Sequence, residues 1–148
     1  MSDQIPPRLQ EIIEDFQWSE GREKLELLLE YSEKMPSLPE RIRQHLEGME
    51  RVAECMTPVL VTAEVQDGKM QFYFDVPRES PTVRGYAALI SEGLRDLTPE
   101  EVLQVPNDFY HQMGLHEVLT HQRLAGISAI LAHMKHLAAH HLTQSEGG

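Results

Sequence analysis

The chain has one cysteine, one tryptophan and no long apolar run. The single cysteine, Cys55, excludes an intramolecular disulfide, a Cys-x-x-Cys redox pair and a multi-cysteine metal site within one chain. Any sulfur chemistry it performs must be shared with another molecule. No stretch approaches the ~20 apolar residues that span a bilayer. The opening "MSDQIPPRLQ" lacks the charged-then-apolar pattern of a secretory signal, so a cytoplasmic location with no membrane partner is expected. Basic residues are scarce, 13 Lys and Arg against 24 Asp and Glu, for a formal net charge of −11. No basic cluster offers a grip on a phosphate backbone, which argues against a nucleic-acid partner. Phosphate-binding glycine loops, Ser-His-Asp signatures and His-Glu-x-x-His are also missing.

What remains is the composition of a globular protein, 41% apolar and 25% charged over 148 residues. That length predicts one domain, 1–148, with its core over about 8–142 and a flexible tail at 143–148. Leu9, Ile12, Ile13 and Phe16 recur at helical spacing, and Ser19 is a candidate cap for a second helix running to about Lys34. One or two further helical turns start at Pro39 and close at Gly48.

The period then changes. "VLVTAEVQ" (59–66) and "KMQFYFDV" (69–76) are β-branched and aromatic, and Asp67-Gly68 between them is a strong hairpin signal. "MERVA" (49–53) is a candidate third strand. Helical signals resume at Ser80-Pro81, at the capping box "TPEE" (98–101) and in "NDFYHQMG". The longest helix runs from Thr120 to about Leu142, striped by Leu124, Ile127, Leu131, Met134 and Ala138. Helices, then a compact β region, then helices predict an α+β fold, a small antiparallel sheet with helices packed on one face.

Cys55 falls between the candidate strand and the hairpin, beside Pro58, which interrupts ladder pairing. Cysteine is often a small buried hydrophobe, whereas loops on a rigid scaffold are where reactive groups sit. The residue types leave both readings open. The anionic neighbour Glu54 opposes a thiolate, so support must come from a cation or from backbone donors. Arg51, Arg84 and Arg123 are the candidate cations. Arg123 lies in the first turn of the last helix, where free N–H groups and the positive dipole end also favour an anion. His121 beside it is a candidate proton donor or acceptor near neutral pH. His133, His136 and His140 share one helical face, but no partner ligand accompanies them; a solvated polar face is expected and no metal site.

The segments "MPSLPERIR", "RVAECMTPVLV", "ESPTVRGYAALI", "LTPEEVLQV", "DFYHQMGL" and "LTHQRLAGISAIL" resemble, in order and spacing, the SufE/CsdE sulfur-acceptor proteins over roughly residues 8–138. The resemblance implies a SufE/IscU-like fold. It implies a protein that takes a persulfide sulfur from a SufS-like cysteine desulfurase, stimulates that enzyme and passes the sulfur towards a downstream iron–sulfur scaffold. The desulfurase carries pyridoxal phosphate; the acceptor needs no cofactor of its own. Cys55 matches the acceptor cysteine, Arg123 and Gly126 match an Arg and a Gly of the family's last helix, and Arg84-Gly85 match a basic-Gly pair. This chain departs from the pattern around the cysteine: Glu54 stands where the family usually has Gly, Thr57 keeps a hydroxyl, and Pro58 and Val59-Leu60 replace the usual following residues. The alternative reading is a non-catalytic module that binds a desulfurase or another partner, with Cys55 structural.

Overall fold

The computed structural model describes residues 5–147, with side chains through Gln144. Three antiparallel strands, β1 (Glu50–Arg51), β2 (Leu60–Gln66) and β3 (Lys69–Asp75), form a sheet in the order β1-β2-β3. The hairpin closes through Asp67 and Gly68, both at positive φ (55° and 78°), the conformation Asp-Gly adopts at low cost. Strand period does the sorting. Met70, Phe72 and Phe74 are buried on one face with Val61, while Gln71, Tyr73 and Asp75 alternate onto the other. On that second face Glu64 pairs with Arg41 of α3 (Glu40–Arg43), 2.5 Å at the shorter contact.

The buried face is covered by α4 (Pro81–Gly93) and α6 (His121–Gly147), against which α1 (Pro7–Trp18), α2 (Arg22–Glu33) and α5 (Pro99–Leu103) pack. Leu9, Ile12, Ile13 and Phe16 bury α1 on α4, at roughly 1.5–3 kcal/mol per side chain relative to exposure. The α2–α4 contact is closer still: a β-carbon on Gly85 would meet the Leu28 carbonyl oxygen at 1.9 Å, so only glycine fits there. The fold is α+β, with α1, α2, α4, α5 and α6 on the side of the sheet's apolar face and the short α3 tied to the other.

Several local expectations shift. Ser19 does not cap α2; its hydroxyl donates back to the Asp15 carbonyl at 3.1 Å, and Gly21 stands at the α2 N-cap. Lys24, inside α2 and buried, reaches the Phe16 carbonyl at 2.8 Å and also the Ser19 carbonyl, closing the end of α1 with an ammonium. The capping box at Thr98 and Glu101 forms as its spacing requires. A short 3-10 turn at Leu115–Glu117 follows the one at Phe109–His111, where the pattern had ended at Gly114. The last helix continues to Gly147, past the expected end near Leu142; the final residue of the expected tail, Gly148, lies outside the described residues.

Candidate functional site

Cys55 occupies a loop that leaves β1 and returns at β2. The loop is pinned at its base by the Val52 N–H to the Val59 carbonyl (2.9 Å) and turned by the Cys55 N–H to the Val52 carbonyl (3.1 Å). Val52 and Val59 are buried anchors, whereas Ala53, Glu54, Met56 and Pro58 are exposed. Of the residues between the anchors, Cys55 alone turns fully inward, at 5% exposure; Met56 beside it stands out at 78%.

The inward turn brings the sulfur against the start of α6. Cys55 Sγ donates to the Gly126 carbonyl at 3.4 Å, and a β-carbon on Gly126 would stand 3.1 Å from the sulfur. A glycine on the first turns of α6 thus makes room for the thiol. Loop, α4 and α6 together line a cleft of about 450 Å³ in which Cys55, Thr57, Gln122 and Arg123 take part. Thr57 is fixed by its hydroxyl contact with Ser80 at 2.8 Å, so the residue expected to cap α4 ties the loop to that helix instead. Thr120 caps α6 by accepting from the Arg123 N–H at 3.2 Å.

The resting sulfur is a protonated thiol. Burial pushes its pKa up, and the nearby Glu54 charge pushes it further. Instead of resting on the free N–H groups at the start of α6, it donates to a carbonyl. Arg123 is exposed on the rim of the same cleft.

The other sequence candidates divide. His121 begins α6 and is exposed outside the residues that line the cleft. Arg84 is drawn away altogether: its Nε donates to the Ser32 carbonyl at 3.0 Å and another guanidinium nitrogen to the Val76 carbonyl at 2.6 Å, joining α2, α4 and the end of β3. Its role in this fold is to hold backbone. Glu54 turns its carboxylate onto α6, where Oε1 meets His133 Nε2 at 3.1 Å. The same imidazole bonds Glu50 through Nδ1, and His136 Nδ1 meets Glu50 at 3.0 Å. Among the described residues no three His, Cys, Asp or Glu side chains form a metal-binding group, and His133 and His136 meet the carboxylates of Glu50 and Glu54 instead. Sequence reasoning missed that pairing. The available signal was that His133 falls seven residues after Gly126, two turns further along the same helical face.

The family model described as "SufE: Fe-S metabolism associated domain" matches residues 10–138. The chain belongs to the SufE family. It is 36% identical over 132 residues to a SufE-like protein of Mycobacterium tuberculosis, covering 88% of this chain and 91% of that one. A SufE-like protein of Synechocystis is 33% identical over 145 residues, 97% of this chain and 88% of the relative. The solution structure of a hypothetical protein from Thermus thermophilus superimposes with a TM-score of 0.83 at 40% identity, over 95% of this chain and 99% of that one. A more distant match, 29% identical over 93% of this chain, is to 36% of the length of the Arabidopsis SufE-like protein 1, chloroplastic/mitochondrial. SufE membership carries a theme of Fe–S metabolism and an association with a cysteine desulfurase. Among the described residues no helix is long and apolar enough to cross a membrane.

Proposed function

We propose that this SufE-family chain is the sulfur acceptor and activator of a SufS-like cysteine desulfurase, with Cys55 as the accepting nucleophile. The observation that carries the reading is the placement of the sole thiol. It sits on a loop pinned at its base and faces a cleft whose rim bears Arg123. In the transfer, the Cys55 thiolate attacks the outer sulfur of the donor's persulfide. A new Sγ–S bond forms, the donor S–S bond breaks, and its electron pair leaves with the donor cysteine as a thiolate. The thiol proton is lost to solvent or to a partner base before attack. Arg123 supplies positive charge at the cleft where the sulfur anion develops. The pyridoxal phosphate belongs to the donor enzyme, and the carried sulfur passes on towards an iron–sulfur scaffold in the cytoplasm.

Incubation with a SufS-like desulfurase and cysteine is expected to add one sulfur (~32 Da) to Cys55. Cys55→Ser is expected to retain binding to the desulfurase and to lose its stimulation. Stimulation that survives in Cys55→Ser, with no sulfur adduct on the native chain, would instead establish a binding module with a structural cysteine.

A further inference from the structure

For Cys55 to meet a sulfur held by another protein, a side chain that is 5% exposed must leave its place against Gly126. Among the described residues four side-chain hydrogen bonds hold the loop there: Cys55 to the Gly126 carbonyl, Thr57 to Ser80, Met56 to Gln122 and Glu54 to His133. Three of these are between uncharged groups. The fourth joins a carboxylate to an imidazole and depends on protonation.

The geometry at His133 specifies which protonation state. Its Nδ1 faces a Glu50 oxygen and its Nε2 faces a Glu54 oxygen. Carboxylates accept only, and a neutral imidazole has a single N–H to offer. Both contacts are hydrogen bonds only when the ring is an imidazolium. Glu50 belongs to β1, the fixed strand before the loop, and Glu54 belongs to the loop itself. The ring therefore bridges the frame to the moving part.

We infer that His133 is a positioning residue for Cys55: as an imidazolium it latches the cysteine loop shut through Glu54, and its deprotonation frees the loop. The inference rests on the acceptor reading only for the reason that exposure of Cys55 matters. The charged groups acting on the ring are Glu50 from β1 and Glu54 from the loop, while His136 on its own helix shares Glu50. Burial pulls the imidazole down, but the bonds and charges of the two carboxylates outweigh it and the net shift is upward. The sign follows. A pKa raised in the latched state means the latch, complete below the ordinary histidine range while the Glu54 carboxylate stays ionised, is lost as pH rises through the raised value.

The test is alkylation of Cys55 by iodoacetamide across pH, without any desulfurase, with thiolate fraction followed separately by its ultraviolet absorbance. Native protein is expected to react faster per thiolate as pH rises through the His133 titration. His133→Asn and Glu54→Gln are expected to lose that step and to react about 5-fold faster below it, the scale of one partly exposed ion pair. Variants that follow the native profile overturn the latch. So does acceleration in Glu54→Gln alone, which reduces Glu54 to a charge beside the thiol. If a variant does not fold, hydrogen exchange at residues 54–57 of the native chain replaces it. Protection at these amides, taken relative to the base-catalysed intrinsic rate at each pH, that does not fall through the same pH range also overturns the inference. None of these outcomes depends on whether a desulfurase transfers sulfur to Cys55.

Discussion

The sulfur of Cys55 lies 3.1 Å from the point where a β-carbon on Gly126 would stand, and it donates to the carbonyl of that same residue. Helix and loop are separated by 71 positions in the chain, yet the missing side chain of one shapes the berth of the other. Gly126→Ala tests this. Alanine favours an interior helix position over glycine by about 1 kcal/mol, which offsets part of the cost of crowding. The sulfur has a cleft to move into, so the expected outcome is faster alkylation of Cys55 with a melting temperature close to native. An unchanged alkylation rate would show that the berth does not hold the thiol in.

Burial sets the thiol of Cys55 to titrate later than an exposed cysteine. Its alkylation midpoint is expected above that of free cysteine, because burial is the larger cause and the Glu54 charge the smaller. Glu54→Gln should lower the midpoint part of the way. For stability the sign is fixed: a thiol pKa raised on folding contributes fully below the ordinary thiol value, and that contribution is lost as pH rises through the folded value. Cys55→Ala is expected to flatten the alkaline decline in denaturant midpoint, and an unaltered slope would assign the decline to other groups.

Gly85 is the most tightly enclosed of the described glycines. A methyl there would overlap the Leu28 carbonyl, 1.9 Å to oxygen and 2.7 Å to carbon, and backbone does not yield as a side-chain tip does. Gly85→Ala is expected to cost about 3 kcal/mol or more in urea unfolding, the upper range for overpacking. A loss under about 1 kcal/mol would mean that α2 and α4 slide apart without penalty.

Tyr86 presents the opposite case. Its ring is buried and stacks on Phe109 at 6.1 Å between centroids, and among the described residues its hydroxyl finds no hydrogen-bond partner. Burial pushes the phenol pKa far up, as expected of a group with nothing to solvate its anion. Removing an unmatched hydroxyl relieves a desolvation cost, so Tyr86→Phe is expected to gain on the order of 1 kcal/mol. A thermal melt that falls instead would reveal a partner for that oxygen.

Much of the fold was legible because its signals are local. Asp67-Gly68 names a turn through the φ values those two residues tolerate, and Thr98 with Glu101 names a helix start through bonds within four residues. The α6 stripe from Ile127 through Ala138 reports burial by period alone. Part of the site was legible for the same reason: a strand period broken by Pro58 places Cys55 in a loop. The failures involve groups with several local options. Ser19 has the chemistry of a cap, but it closes α1 rather than opening α2. Ser80 precedes a proline as a cap does, but its hydroxyl is taken by Thr57.

The sequence by itself determined the elements, their order and a lone thiol between a short strand and a hairpin, because backbone propensity, turn chemistry and side-chain period act over a few residues. Only the tertiary structure decided what surrounds that thiol. Glu54 meets an imidazole 79 residues away, and Arg84, a candidate cation on sequence, is spent on the carbonyls of Ser32 and Val76. Charge and hydrogen-bonding capacity can be read from residue types, but a partner is chosen by which elements the packed core brings together. Here the packing of α6 on the sheet sets a glycine beneath Cys55 and a histidine beside Glu54.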